Sequence, residues 1–194
     1  MAHITRDSLM TLEAYHKARP EFRAKVMAHK KNRAVPLGSN ITLVFEDELT
    51  IRYQIQEILR VEKTFEEAGI NDELEAYNPL VPDGSNWKAT MMIEYPDEVE
   101  RKMMLARLKG VEDRVWVQVM DHARVHAIAD EDLERENAEK TSSVHFLRFE
   151  LTPEMIAAAK SGAALAMGVE HPAYMAETVV PQAVRDSLVA DLVG

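Results

Sequence analysis

At 194 residues with a net charge of −10, the chain is long enough to bury a core, and its acidity argues against nucleic-acid binding through phosphate neutralisation. Hydrophobic residues make up 46% and charged residues 29%, a balance that excludes disorder of the whole chain. There is no Cys, so disulfides, thiolate nucleophiles and Cys-held zinc or iron–sulfur clusters are excluded. No apolar run approaches the ~20 residues of a membrane span, and the polar start has no signal-peptide core, so a cytoplasmic protein without membrane contact is expected.

Residues 1–33 hold eight basic side chains against three acidic ones, a local excess suited to lying on the acidic remainder of the chain. Thr11 to Ala18 reads as one short helix and Pro20 opens a second that runs towards Arg33, with Pro36 and Gly38 as its stop. Ile41, Leu43 and Phe45 alternate with polar or smaller residues, which predicts a strand. Asp47 then caps a long helix over 47–67, with Ile51, Ile55, Ile58, Leu59 and Phe65 as its buried stripe. Its polar residues Arg52, Gln54, Gln56, Glu57 and Arg60 either line a site or pair with one another on the surface. The segment Tyr77 to Asn86 is dense in turn formers and separates the two halves expected, 1–86 and 87–194, within one compact unit.

Beyond it, Trp87 to Tyr95 alternates as a strand, Asp97 caps a helix ending at Gly110, and Val115, Val117 and Val119 mark a strand that can extend through Ile128 with a bend near Asp121. Val144 to Leu151 is a further strand. Thr152 and Pro153 open a helix that Gly162 ends, and the apolar run Ala163 to Val169 follows. This order predicts an α+β fold, in which a mostly helical N-terminal half precedes a ferredoxin-like β-α-β-β-α-β sheet layer. In that layer the 87–95 and 144–151 strands are antiparallel neighbours. Trp87, Ala89, Met91, Ile93, His145, Leu147, Phe149 and Leu151 face the helices; Lys88, Thr90, Met92, Val144, Phe146 and Arg148 face away. The second set is too apolar to be simply solvated. It predicts either a homodimer through Met92, Val144 and Phe146, joined by Trp116 or Met120, or through an edge strand, or else a cover made by the N-terminal half. Pro181 opens a last helix whose stripe is Val184, Leu188 and Leu192.

No nucleophile elbow, phosphate loop or His-Glu-x-x-His motif occurs. His122 and His126 share one face of an extended segment and are the candidate metal ligands. Their four-residue spacing sets them roughly 13 Å apart unless the strand bends. His145 falls on the apolar face and does not join them. A second candidate is a small-ligand pocket between the 78–88 loop and the 47–67 helix, with Arg52, Gln56, Asn86 and Lys88 as its polar groups.

The stretches Tyr15–Arg23, Phe45–Glu57 and Tyr77–Thr90 resemble those of an uncharacterised bacterial family, domain of unknown function three-five-zero-one. The resemblance brings no catalytic residues and names no cofactor. Members of that family are often encoded beside rubrerythrin-like diiron proteins and iron–sulfur oxidoreductases. The resemblance therefore implies a cytoplasmic accessory or binding protein with a redox metalloprotein partner, acting in peroxide or iron-linked chemistry. The alternative is an enzyme or small-ligand protein that uses the pocket.

Overall fold

The computed structural model describes residues 3–194, and its N-terminal half adds a β-hairpin to the helices that the sequence suggests. α1 is a single helix, Leu12–Lys30, that continues through Pro20 instead of breaking there. A proline inside a helix forfeits one backbone bond; here Tyr15 and Val26, buried on either side of it, hold α1 against the next helix. The expected stop at Pro36 and Gly38 is instead a hairpin of β1 (Ala34–Leu37) and β2 (Ile41–Phe45). Pro36 is tolerated because β1 is an edge strand, and Gly38, at φ +70°, supplies the left-handed turn.

α2 (Glu48–Glu62) begins as expected: the Asp47 carboxylate accepts from Thr50 N at 3.0 Å, and the Thr50 hydroxyl accepts from Asp47 N at 2.9 Å. It ends at Lys63, in the left-handed conformation, so Phe65 falls outside the buried stripe and is exposed. α3 (Glu67–Tyr77) packs beside it, and Ile4, Leu9, Ile51, Ile55, Leu59, Ile70 and Leu74 form a small core of their own. Glu57 ties α2 to α1, accepting from the Tyr15 hydroxyl at 2.6 Å and Arg19 Nε at 2.7 Å. Arg19 first, then Tyr15 and Arg60, hold the Glu57 carboxyl down to about 2.

The remaining elements are β3 (Asn86–Ile93), α4 (Glu98–Arg107), β4 (Val115–Val119), β5 (Val125–His126), β6 (Ile128–Ala129), β7 (Val144–Glu150), α5 (Pro153–Lys160), β8 (Leu165–His171), β9 (Tyr174–Val179) and α6 (Gln182–Val189). Asp97 and Thr152 cap α4 and α5 through their side chains. The strands form two antiparallel sheets, ordered β1-β2-β3-β7-β6 and β5-β4-β8-β9. β3 and β7 are neighbours, with Trp87 opposite Phe149 and Ala89 opposite Leu147.

The four strands expected in one ferredoxin-like layer are thus divided between two sheets, and β2 joins β3 across the 86/87 division between halves. The cause lies at Ala127. β5 pairs with β4 in the second sheet, and after this one residue β6 pairs with β7 in the first. A strand that changes sheets makes a corner between them. Both inner faces then meet in one core: Trp87, Ala89, Met91, Leu147 and Phe149 from the first sheet and Val115, Val117, Leu165 and Met167 from the second. α6 closes it with Val184 and Leu188, Leu192 follows from the segment past the helix end, and the Trp87 indole donates to Leu188 O at 2.8 Å.

Candidate functional site

The strand alternation that buries Trp87 and Phe149 turns Lys88, Thr90, Met92, Val144, Phe146 and Arg148 to the opposite face of the first sheet. There the helical layer stands over the sheet without filling the space between. Two adjoining cavities result, of about 500 Å³ and about 430 Å³. They share Glu46, Tyr77, Leu80 and Phe146 as walls.

The inner cavity is bounded by Ile51 and Gln54 of α2 and by Thr90, Met92 and Val144 of the sheet, so most of its surface is carbon. Glu46 is fixed at its edge, accepting from the Thr90 hydroxyl at 2.8 Å and the Thr50 hydroxyl at 2.5 Å. The outer cavity carries the cations Lys88, Arg135 and Arg148. Arg148 is bound to Glu131 at 2.8 Å and Glu150 at 2.6 Å, and Arg135 to Asp132 at 2.7 Å while it stacks on Phe146 at 4.6 Å. Lys88 differs. Its Nζ donates to Pro79 O at 2.6 Å, and no carboxylate among the described residues lies within ion-pair distance. Burial, with Arg148 adding to it, pushes the Lys88 ammonium below the usual lysine range against the pull of Asp83.

Of the four polar residues expected at a pocket, only Lys88 lines one. Arg52 is engaged by Glu48 and Ser8, Gln56 is buried and accepts from Met10 N at 2.8 Å, and Asn86 is buried between Asp83 and Glu150. The helix presents Gln54 to the cavity instead, because Gln56 lies on the face turned to the N-terminal segment.

His122 and His126 are not gathered into a ligand set. The chain turns at Asp121, φ +68°, and His126 pairs with Glu170 at 2.7 Å on the outer face of the second sheet. Among the described residues, the group with metal-ligand spacing is Glu112, Asp130 and His145. Burial pushes the Glu112 carboxyl up, Glu136 and Asp113 add to this, and His145 opposes it. A polar ring at the buried position 145, alternating with Leu147, Phe149 and Leu151, is the sequence signal for this group, since a buried imidazole needs partners.

Two antiparallel sheets around one core, with a helical layer over a partly apolar cleft, define an α+β protein. The chain belongs to the family described as Protein of unknown function (DUF3501), which matches residues 3–192. It is 57% identical to a novel protein of unknown function from Burkholderia pseudomallei K96243, whose crystal structure superposes with a TM-score of 0.94 over 99% of this chain and 100% of that one. No curated protein matches the chain. No helix among the described residues is long and apolar enough to cross a membrane.

Proposed function

We propose that the protein binds an elongated, mainly apolar small molecule carrying one anionic group. The observation that carries this reading is the position of Lys88, a cation without a carboxylate partner at the outer end of a carbon-walled cleft. Apolar cavities of this size with a few convergent polar groups are the usual form of a ligand site. The body of the ligand lies against Leu80, Met92 and Phe146, and its anion replaces Pro79 O at the Lys88 ammonium. The reading is one of binding, with the Glu46 carboxylate engaged by the Thr90 and Thr50 hydroxyls at the cavity edge.

Decanoate is a suitable probe. Isothermal titration is expected to show saturable uptake by the wild type, about tenfold weaker in Lys88→Met, because a hydrogen bond to a charged group contributes about 1.5–3 kcal/mol. Ala76→Trp, at an exposed wall position, is expected to block uptake while leaving the melting temperature unchanged. Absence of uptake by the wild type, or equal affinity in Lys88→Met, would reject the site.

The second reading is an accessory role in the cytoplasm beside a rubrerythrin-like or iron–sulfur redox protein, which rests on what the sequence resemblance implies. We also propose a homodimer. The helical layer stands over the patch at Met92, Val144 and Phe146, and Trp116 is buried, so the support comes from the alternative route, an edge strand. β9 is such an edge, with Met175 and Val179 exposed along it. Native mass spectrometry of protein purified from its own cells reads both proposals. A co-purifying redox metalloprotein supports the first and a mass twice 22.0 kDa the second; a lone 22.0 kDa chain counts against both.

A further inference from the structure

We propose that Glu112, Asp130 and His145 form a binding site for one first-row divalent transition-metal ion. One ligand atom from each lies within 4.8 Å of the other two, and all three residues are buried or nearly so. The site is separate from the cleft over the first sheet.

Three segments build it. Glu112 sits in the short 3-10 turn Val111–Arg114 before β4, Asp130 follows β6, and His145 projects inward from β7. His145 is wholly buried, its Nε2 is 2.8 Å from Thr141 Oγ1 and 3.0 Å from Ser142 O, and its Nδ1 is 2.6 Å from Asp130 Oδ2. When Nε2 donates its proton to the carbonyl, Nδ1 presents a lone pair to a carboxylate oxygen. Nδ1 and Oδ2 meet through a shared proton when the site is empty, and an ion that displaces this proton finds both lone pairs turned towards it. A ring nitrogen donating to a backbone carbonyl while the other faces a metal is the usual arrangement of a ligating histidine. Asp130 is oriented in its turn: Oδ1 accepts from Phe146 N at 2.9 Å and Arg135 Nη1 at 3.2 Å, which leaves Oδ2 for the site.

Glu112 supplies the independent observation. It is 8% exposed, and its Oε2 is buried with no hydrogen-bond partner. A buried carboxylate oxygen without a donor is costly, and a bound cation removes that cost. An approach exists as well. A cavity of about 510 Å³ lined by Glu112, Asp130, Asp132, Glu134 and Glu136 opens beside the cluster and gives a cation a favourable field. One imidazole with two carboxylates suits Mn2+, Fe2+ or Zn2+ better than Mg2+ or Ca2+, which favour all-oxygen sets.

The test uses the full chain, stripped with a chelator and dialysed against Mn2+ or Zn2+ alone. Metal analysis is expected to find one equivalent per chain, with affinity falling at least about 100-fold in Glu112→Gln and unchanged in His126→Gln. No stoichiometric uptake by the wild type would overturn the proposal. So would uptake that survives Glu112→Gln but is lost in His122→Gln or His126→Gln. Should Glu112→Gln fail to fold, Mn2+ broadening of amide resonances in the wild type decides. Early loss of Thr141 and Phe146 supports the site, and early loss of Arg124 to His126 overturns it.

Discussion

Arg33→Met is expected to destabilise the protein by about 3–5 kcal/mol at neutral pH, the effect of leaving one member of a buried ion pair behind. Arg33 is 1% exposed and every nitrogen of its guanidinium is used. Nε donates to Phe45 O at 2.9 Å and Nη2 to Glu46 O at 3.1 Å, at the end of β2 and just past it. Nη1 and Nη2 clasp Asp191 at 3.1 and 2.6 Å, and Nη1 reaches Ser187 O at 3.2 Å. One side chain therefore fastens the end of α1 to the first sheet and to α6. Methionine matches the stem but removes the donor from three carbonyls and a buried carboxylate.

The loss should depend on pH with a defined sign. Burial already pushes the Asp191 carboxyl up, against the pull of Arg33. Without Arg33 the folded-state value rises further above the unfolded one. A group shifted in that direction contributes stability below its unfolded value, and the contribution is lost as pH rises through the folded one. The deficit of Arg33→Met in urea unfolding is therefore expected to shrink between pH 7 and pH 4. Adding Asp191→Leu should restore much of the loss at pH 7, since an apolar pair often replaces a buried ion pair at little cost. A single variant within 1 kcal/mol of wild type would show that the network contributes little.

Gly168→Val is expected to be the most disruptive substitution in the second sheet, costing about 3 kcal/mol or more by overpacking. Gly168 lies directly opposite Trp116 on the outer face. A β-carbon there would stand 2.5 Å from Trp116 Cζ2 and 2.7 Å from Ala176 O, so indole or backbone must move. The indole is held from outside as well, because the Arg124 guanidinium lies 3.8 Å above it and is tied to Glu170 and Glu177. Movement of the Trp116 ring should appear as a red shift in its fluorescence, and Gly168→Ala should show the same change at smaller size. Wild-type stability in Gly168→Val would mean that the ring relocates freely.

The helix caps at Asp47, Asp97 and Thr152 were legible in the sequence, as were the strand alternation of 87–93 and 144–150 and the stripe Val184, Leu188, Leu192. Each depends on residues within a few positions of one another, where side-chain length and period suffice. The cleft was half legible. The 78–88 loop, α2 and Lys88 do meet at it, but Arg52, Gln56 and Asn86 are bonded elsewhere; Gln54 and Gln56, two positions apart, point about 160° apart on the helix and so face different surroundings. The cluster of Glu112, Asp130 and His145 was not legible beside His122 and His126 for a related reason. Proximity in sequence suggested the histidine pair, whereas the cluster is assembled by the pairing of β6 with β7.

Local chemistry thus settled where several helices begin, where β2, β3, β4 and β7 run, and which face of each is apolar. It did not settle partnership. A β-α-β-β-α-β order is compatible with one sheet or two, and a single residue, Ala127, carries the chain from β5 in one sheet to β6 in the other. Whether Pro20 breaks α1, whether β1 and β9 exist, and which carboxylates reach His145 all turn on contacts between distant segments. Their free energy comes from surface buried together, and no window of neighbouring residues contains it.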